Sequence, residues 1–321
     1  MAERSFSDIG KVEAIAALFE GTPYKAFEDC WFETKNPEYI TTCSKMLLEG
    51  IDFDLVYFPL KHLGYKSVIA VTGELYAVMA QPETLSVRLG ISSKLDFEQT
   101  RELWSGIVSA AKEHGYKSLS LDLQPSKNGL CISIAAGGRC CKLSCVRRSK
   151  AQSKDLICIS GRLGAAYFGQ QVLENKPDEL EKYKMMLAEY LRPELNAGTV
   201  SRLEETEIYP SMGYFVTRGL SDAIFRLCRD SGLGAKVYAD KIPFEAGSFA
   251  LGKELDIDPI SAAMNGGDDY KILFTVPILK LEKFAREFQT FDIIGHLALP
   301  EAGPVLVTPD GLEHPLTSQG W

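Results

Sequence analysis

The hydrophobic positions of this chain change period from block to block. Over residues 84–91, Leu85, Val87, Leu89 and Ile91 alternate with Ser86, Arg88 and Gly90, a period of two that predicts a half-buried strand. Over residues 97–114, Leu103, Ile107, Val108 and Ala111 fall at helical spacing, and the block ends at Gly115, a residue suited to a helix C-cap. Residues 54–58 and 67–71 are rich in β-branched and aromatic side chains and predict strands, as does the run 130–136. Strands and helices therefore alternate through the first half.

A polar, basic connector follows, Arg147-Arg148-Ser149-Lys150-Ala151-Gln152-Ser153-Lys154. It predicts a boundary between two domains, 1–148 and 149–321. The second half predicts a strand at 155–160, a Lys/Glu-rich helix at 177–190 and a helix at 220–231 stopped by Gly232. Strands at 270–276 and 292–297 follow, then a hairpin-like tail at Thr308-Pro309-Asp310-Gly311. The expected fold class is mixed α/β in two domains.

Composition changes this picture little. The 321 residues are 45% hydrophobic and 24% charged, the range of an ordinary globular chain. A net charge of −8 argues against a nucleic-acid surface, which needs a clustered basic face. Nucleotides stay open, because metal ions and a few local donors hold them. The N-terminus begins no apolar run and no stretch approaches a membrane span, so a cytoplasmic protein without membrane or nucleic-acid partners is the expectation. The eight cysteines lack paired metal-ligand spacings. Cys140 and Cys141 are adjacent in a strand-like run and so point to opposite faces, which favours reduced, mostly buried thiols over a zinc site.

The most informative segment is Asn265-Gly266-Gly267-Asp268-Asp269-Tyr270-Lys271-Ile272-Leu273-Phe274-Thr275. It resembles the Gly-Gly-Glu-Asp-Tyr-Glu-Leu-Leu-Phe-Thr signature of the thiamine-monophosphate kinases, a branch of the aminoimidazole-ribonucleotide-synthetase-related superfamily. Other landmarks match in order: Glu49-Gly50-Ile51-Asp52-Phe53, Gly64-Tyr65-Lys66, Tyr76-Ala77-Val78-Met79-Ala80-Gln81-Pro82, Arg148-Ser149-Lys150-Ala151 and Arg192-Pro193. The resemblance runs from about Phe27 to Trp321. It implies an AIR-synthetase-like fold whose N-terminal sheet makes a homodimer, with ATP, Mg2+ and a thiamine-phosphate-like ligand as cofactor and partners. Such kinases transfer a phosphoryl group between magnesium ions caged by dispersed aspartates, because the reaction needs charge neutralisation and alignment more than covalent help.

The resemblance also carries site roles onto this chain. Asp29, Thr42, Glu74 and Asp122 fall at metal positions. Asp122, Arg148 and Thr217 fall at nucleotide positions, and Asp52, Asp268 and Trp321 at substrate positions. Against this, the chain reads Phe215-Val216-Thr217-Arg218 where the family has Asp-x-Ser-Asp, and Cys43 where it has a third aspartate. The glycines before the family's Gly-Gly-Asp-Thr aspartate are Ser120 and Leu121. Each residue has an ordinary reading as well: a turn or surface carboxylate, a solvated arginine in a basic linker, a chain end.

At 4 Å and an effective dielectric of 20, one unit charge repels another by about 4 kcal/mol, and a divalent ion feels about twice that from Arg218. Arginine also clamps phosphate directly and can stand in for a metal. The expected function is a thiamine-monophosphate-kinase-like protein with lost or reduced phosphoryl transfer that retains ligand binding. The alternatives are an active kinase with a rearranged metal site and a non-catalytic scaffold.

Overall fold

The computed structural model describes Glu13 and residues 30–33, 38–141 and 150–317. Asp29, Arg148 and Trp321, three of the expected site residues, lie outside the described residues. The described residues divide into two compact units, those of Asp29–Arg148 with Phe168–Tyr209 and those of Ser149–Tyr167 with Pro210–Trp321. Residues 168–209 follow the connector in sequence but pack with the unit that precedes it.

The first unit is built on a five-stranded sheet of β1 (Cys30–Glu33), β2 (Glu38–Leu48), β3 (Gln81–Ser92), β4 (Ser118–Ser126) and β5 (Cys131–Cys141), in spatial order β1-β2-β5-β3-β4. Strands β3 and β4 run parallel and the other neighbours antiparallel. The alternation expected at 84–91 holds: Leu85, Val87 and Leu89 are buried while Thr84 and Arg88 are exposed. On β2 the buried row is Thr41, Cys43 and Leu47, and the opposite row of Thr42, Ser44 and Met46 is exposed. Helix α1 (Leu60–Ala77) covers the buried face, and α2 (Phe97–Glu113) packs on α1. Asp96 and Gln99 close a capping box at the start of α2.

Two expected strands are absent here. Residues 67–71 lie inside α1, nearly all of whose residues are buried. A helix that is covered all round shows no amphipathic period, so its β-branched run mimics a strand. Residues 54–58 form turns, in which Asp54 accepts a hydrogen bond from the backbone N–H of Val56 at 2.8 Å.

Helix α3 (Ala165–Asn175), a 3-10 segment (Pro177–Tyr183), α4 (Lys184–Leu191) and α5 (Thr199–Glu205) follow. The helix expected at 177–190 is therefore broken, with non-helical backbone at Glu179. The α4 residue Tyr190 closes over α1, where the buried ammonium of Lys66 stands 3.9 Å from its ring centroid.

The second unit is a seven-stranded sheet of β6 (Leu156–Ser160), β7 (Met212–Val216), β8 (Gly234–Tyr238), β9 (Lys271–Val276), β10 (Phe291–Ala298), β11 (Pro304–Val307) and β12 (Glu313–Pro315), in order β12-β11-β8-β10-β6-β9-β7. One face packs Ile157, Ile159, Val216, Val237, Leu273 and Ile294 against Leu220, Ala223, Ile224 and Leu227 of α6 (Leu220–Ser231). Gly232 stops α6 at φ +68°, as the sequence predicts. Helices α7 (Ser248–Leu255), α8 (Pro259–Asn265) and α9 (Leu281–Glu287) complete the unit. On the other face, Phe274, Phe284, Phe288 and Phe291 form an aromatic cluster beneath α9. The predicted tail hairpin joins β11 and β12 antiparallel. Among the described residues no helix is long and apolar enough to cross a membrane.

Candidate functional site

In the second unit, two loops at neighbouring strand ends bring together Thr217, Arg218 and Asp268. Among the described residues the edge strand β7 pairs only with β9, setting Val216 opposite Lys271. Beyond that register the Asp268 backbone N–H donates to the Thr217 carbonyl at 2.9 Å, and the Tyr270 N–H to the Val216 carbonyl at 2.9 Å. The 267–270 turn holds Gly267, Asp268 and Tyr270 at φ +81°, +60° and +52°. Positive φ at a bulky tyrosine is costly and marks a loop whose conformation the surroundings impose. Gly219, at φ +90°, tucks against Asn265, where any Cβ would overlap the Met264 carbonyl.

The side chains in these loops divide by environment. Asp269 is buried and accepts from the Gly164 N–H at 2.9 Å, so it holds the 161–164 turn. Thr217 Oγ1 is buried without a hydrogen-bond partner in the described structure, a polar atom of the kind an incoming phosphate or metal-bound water satisfies. Arg218 is partly exposed and its guanidinium lies on Asp222, with Nε 3.2 Å from Oδ1. Asp222 also faces the buried Arg226, whose Nε is 3.0 Å from Oδ2 and whose Nη2 donates to the Phe215 carbonyl at 2.8 Å. Arg218 is therefore not a bare charge: a buried carboxylate shares it with Arg226. The 218/222/226 spacing, one helical turn per step, is the sequence signal for this triad, and Asp222 and Arg226 are additions to the expected site. Phe215 has no exposed surface and packs edge-on to Tyr270 at 5.6 Å between centroids.

In the first unit the expected metal positions do not form one cluster. Glu74, on α1, is buried and its carboxylate stands 3.4 Å from Lys45 Nζ, on the helix-covered side of the sheet. Cys43 faces the same side and its thiol donates to the Val71 carbonyl at 3.2 Å. Thr42 lies in the opposite, exposed row. Asp122 is exposed on β4, and its pairing with Arg88 places it on that same opposite face. The sheet therefore separates Glu74 from Thr42 and Asp122, contrary to the expected convergence. Asp52, expected at a substrate position, accepts from the Leu48 N–H at 2.7 Å and so closes a local turn.

Among the described residues no group of three or more His, Cys, Asp or Glu side chains is placed to hold a metal ion. Magnesium needs oxygen ligands in octahedral array, so the described residues do not by themselves fit that ion.

The fold recurs in known proteins. The solved structure of AaThiL complexed with AMPPCP and TMP superposes with a TM-score of 0.83 at 19% identity, covering 100% of this chain and 99% of that one. E. coli HypE, a hydrogenase maturation protein, superposes at 0.65 with 15% identity and 97% of each chain covered. These likenesses define the class, a mixed α/β protein of AIR-synthetase-like fold. No family model matches the chain. The thiamine-monophosphate kinase of Pyrococcus horikoshii is 27% identical over 298 residues, covering 92% of this chain and 89% of the relative. The chain is similar to thiamine-monophosphate kinases over most of its length.

Proposed function

We propose that this thiamine-monophosphate-kinase-like protein binds a nucleotide and a thiamine-phosphate-like ligand but has lost or reduced phosphoryl transfer. One observation carries the reading. Two positions where the family resemblance expects carboxylates hold groups that the fold uses otherwise, Phe215 as core and Cys43 as a buried thiol on a backbone carbonyl. Neither supplies an anionic ligand. The orphaned Thr217 hydroxyl and the Arg218 guanidinium support retained phosphate recognition, as does the presence of AMPPCP and TMP in the AaThiL structure.

No magnesium step belongs to this reading, because Asp122 and Thr42 lie three strands apart in the sheet and do not converge on one ion. The residues of this chain bind and orient: Thr217 and the Asp268 turn fix a phosphate, and Arg218 offsets its charge. A homodimer belongs to the same reading, supported by β4, an edge strand whose Leu121 and Leu123 are 42% and 49% exposed. Sedimentation tests the dimer.

Calorimetric titration with Mg-ATP, with and without thiamine monophosphate, followed by a turnover assay, tests the function. Saturable binding with a rate about three decades below an intact relative is the expected result, as for a loss of about 4 kcal/mol in transition-state stabilisation. Robust magnesium-dependent turnover would establish the active-kinase alternative. Absence of any nucleotide binding would leave the scaffold.

A further inference from the structure

On the face of the second sheet turned away from α6 there is a cavity of about 330 Å3, within the size range of small-molecule sites. Leu156, Ile278 and Ile293 give it an apolar floor, Tyr238 and His296 an aromatic wall, and Lys154 and Lys241 two ammonium groups. Among the described residues that line it there is no carboxylate, and neither ammonium has a carboxylate within ion-pair distance among the described residues. On a chain of net charge −8, this is a local concentration of positive charge over apolar surface.

Two backbone irregularities build the cavity. A bulge in β10 lets Ile293 pair with Cys158 and Gly295 with Ile157, leaving Ile294 as the extra residue. Ile294 and Leu297 therefore both face the α6 core, while Ile293 and His296 face the cavity. The His296 Nδ1 is then 3.3 Å from Tyr238 Oη, their rings 5.8 Å apart and inclined by 31°. Burial, and next the Lys236 ammonium, push the His296 imidazole below its ordinary pKa, so at neutral pH it offers an uncharged donor or acceptor.

The second irregularity is Lys154. In the turn closed by the Asp155 N–H to the Gln152 carbonyl at 3.0 Å, Lys154 is the third residue, at φ +79°. That position of a type II turn favours glycine. Its own N–H is tied to the Leu297 carbonyl at 2.7 Å, so the turn cannot relax away from β10. A lysine held in a glycine conformation at the rim of a basic cavity is strain whose use has to be sought in the side chain.

We propose that this cavity binds a small aromatic phosphate monoester, its ring against Tyr238 and the apolar floor and its phosphate between Lys154 and Lys241. Two ammonium groups without a carboxylate partner among the described residues, Lys241 standing 5.5 Å from the Tyr238 ring centroid, match a dianion better than a carboxylate, since a phosphate monoester carries about −1.5 to −2 at neutral pH. The cavity lies on the sheet face opposite α6 and draws on none of the Thr217, Arg218 or Asp268 loops, so it is independent of the proposed phosphoryl-transfer site.

Calorimetry on the full chain with phenyl phosphate, inorganic phosphate and benzoate tests it. Phenyl phosphate should bind saturably and more tightly than either other probe. Lys154→Gly and Lys241→Met should each weaken it by about tenfold, the effect of removing one charge-assisted hydrogen bond, while Arg218→Ala leaves it unchanged. Lys154→Gly also relieves the positive φ, so its thermal midpoint should not fall, which separates lost binding from lost folding. Equal affinity for inorganic phosphate would overturn the aromatic site. No saturable binding, or binding indifferent to both lysines and abolished by Arg218→Ala, would overturn the proposal outright.

Discussion

Returning a carboxylate to position 215 is the direct test of why the site has its present composition. Phe215 has no exposed surface, sits on the edge strand β7 opposite Ile272 and meets the Tyr270 ring edge-on at 5.6 Å. Truncating such a phenylalanine to alanine costs about 3–5 kcal/mol. Aspartate places a carboxylate where the ring now packs on Tyr270, and the Arg226 guanidinium is already engaged by the Phe215 carbonyl and by Asp222. A buried carboxylate without partners adds further cost or takes up a proton instead.

Phe215→Asp should therefore lose at least about 4 kcal/mol, a large share of the roughly 5–15 kcal/mol that holds a domain together. Because β7 pairs with β9 alone among the described residues, the damage should appear first as strand separation. Guanidinium unfolding followed by circular dichroism gives the total. Hydrogen exchange at 271–276 locates it, with protection lost there before the rest of the sheet. A variant that stays within about 1 kcal/mol of the parent, and gains magnesium binding, would refute the reasoning.

Three further outcomes are expected. Asp222→Ala leaves Arg226, 3% exposed, without its carboxylate and should cost about 3–5 kcal/mol, read as a lowered thermal midpoint; a loss below about 1 kcal/mol would mean the triad is not a buried unit. Gly106→Ala pushes a methyl into the Lys61 carbonyl where α1 and α2 touch and should destabilise by about 1–3 kcal/mol or more, with a neutral result in chemical unfolding counting against that contact. His114, buried with Nδ1 3.0 Å from Tyr76 Oη, has its pKa lowered mainly by burial. The unfolded chain, titrating near 6.5, takes a proton there that the folded one refuses. That stability is whole above about pH 6.5 and declines as pH falls below it. His62 and His296 are lowered as well, so the reading lies in the difference: His114→Gln should flatten the fall in midpoint between about pH 6.5 and 5, and an unchanged slope would refute it.

How legible each part was depended on whether its determinants were local. The β3 alternation and the α2 and α6 spacings are patterns within one segment, and they were readable to within a few residues. Helix α1 was not, because burial on every side erases the contrast that defines a period. The Asp268 loop was legible through its two glycines, and the family resemblance was legible through motif order.

The burial of Phe215 could not be read from its own segment, since it comes from pairing with β9, more than fifty positions on. Nor could the basic cavity, which depends on a bulge at Ile294 and on segments scattered from Lys154 to His296. Residue identity shows Phe215 and Cys43 where the resemblance expects carboxylates, but not how the fold packs them.

The Arg218–Asp222–Arg226 arrangement changes how the proposed loss of a metal position should be weighed. Taken as a bare charge 4 Å away, Arg218 would oppose a divalent ion by about 8 kcal/mol at an effective dielectric of 20. Asp222 lies against both guanidinium groups, so the triad carries one net positive charge rather than two, and the charge nearest the loop is the partly exposed Arg218 with its carboxylate at 3.2 Å. That lowers the repulsion without turning it into attraction. The Arg218 side chain is 24% exposed against 7% for the aspartate, so the guanidinium borders solvent. A phosphate arriving there meets a guanidinium already oriented by Asp222, with less rotamer freedom to lose. The Asp268 carboxylate on the facing loop sets a negative charge against the remaining positive one, so the triad alone does not decide between an anion and a cation at the 217–218 turn. Titration and turnover therefore have to be measured separately, since the first reads the Arg218 guanidinium and the second reads the full set of ligands.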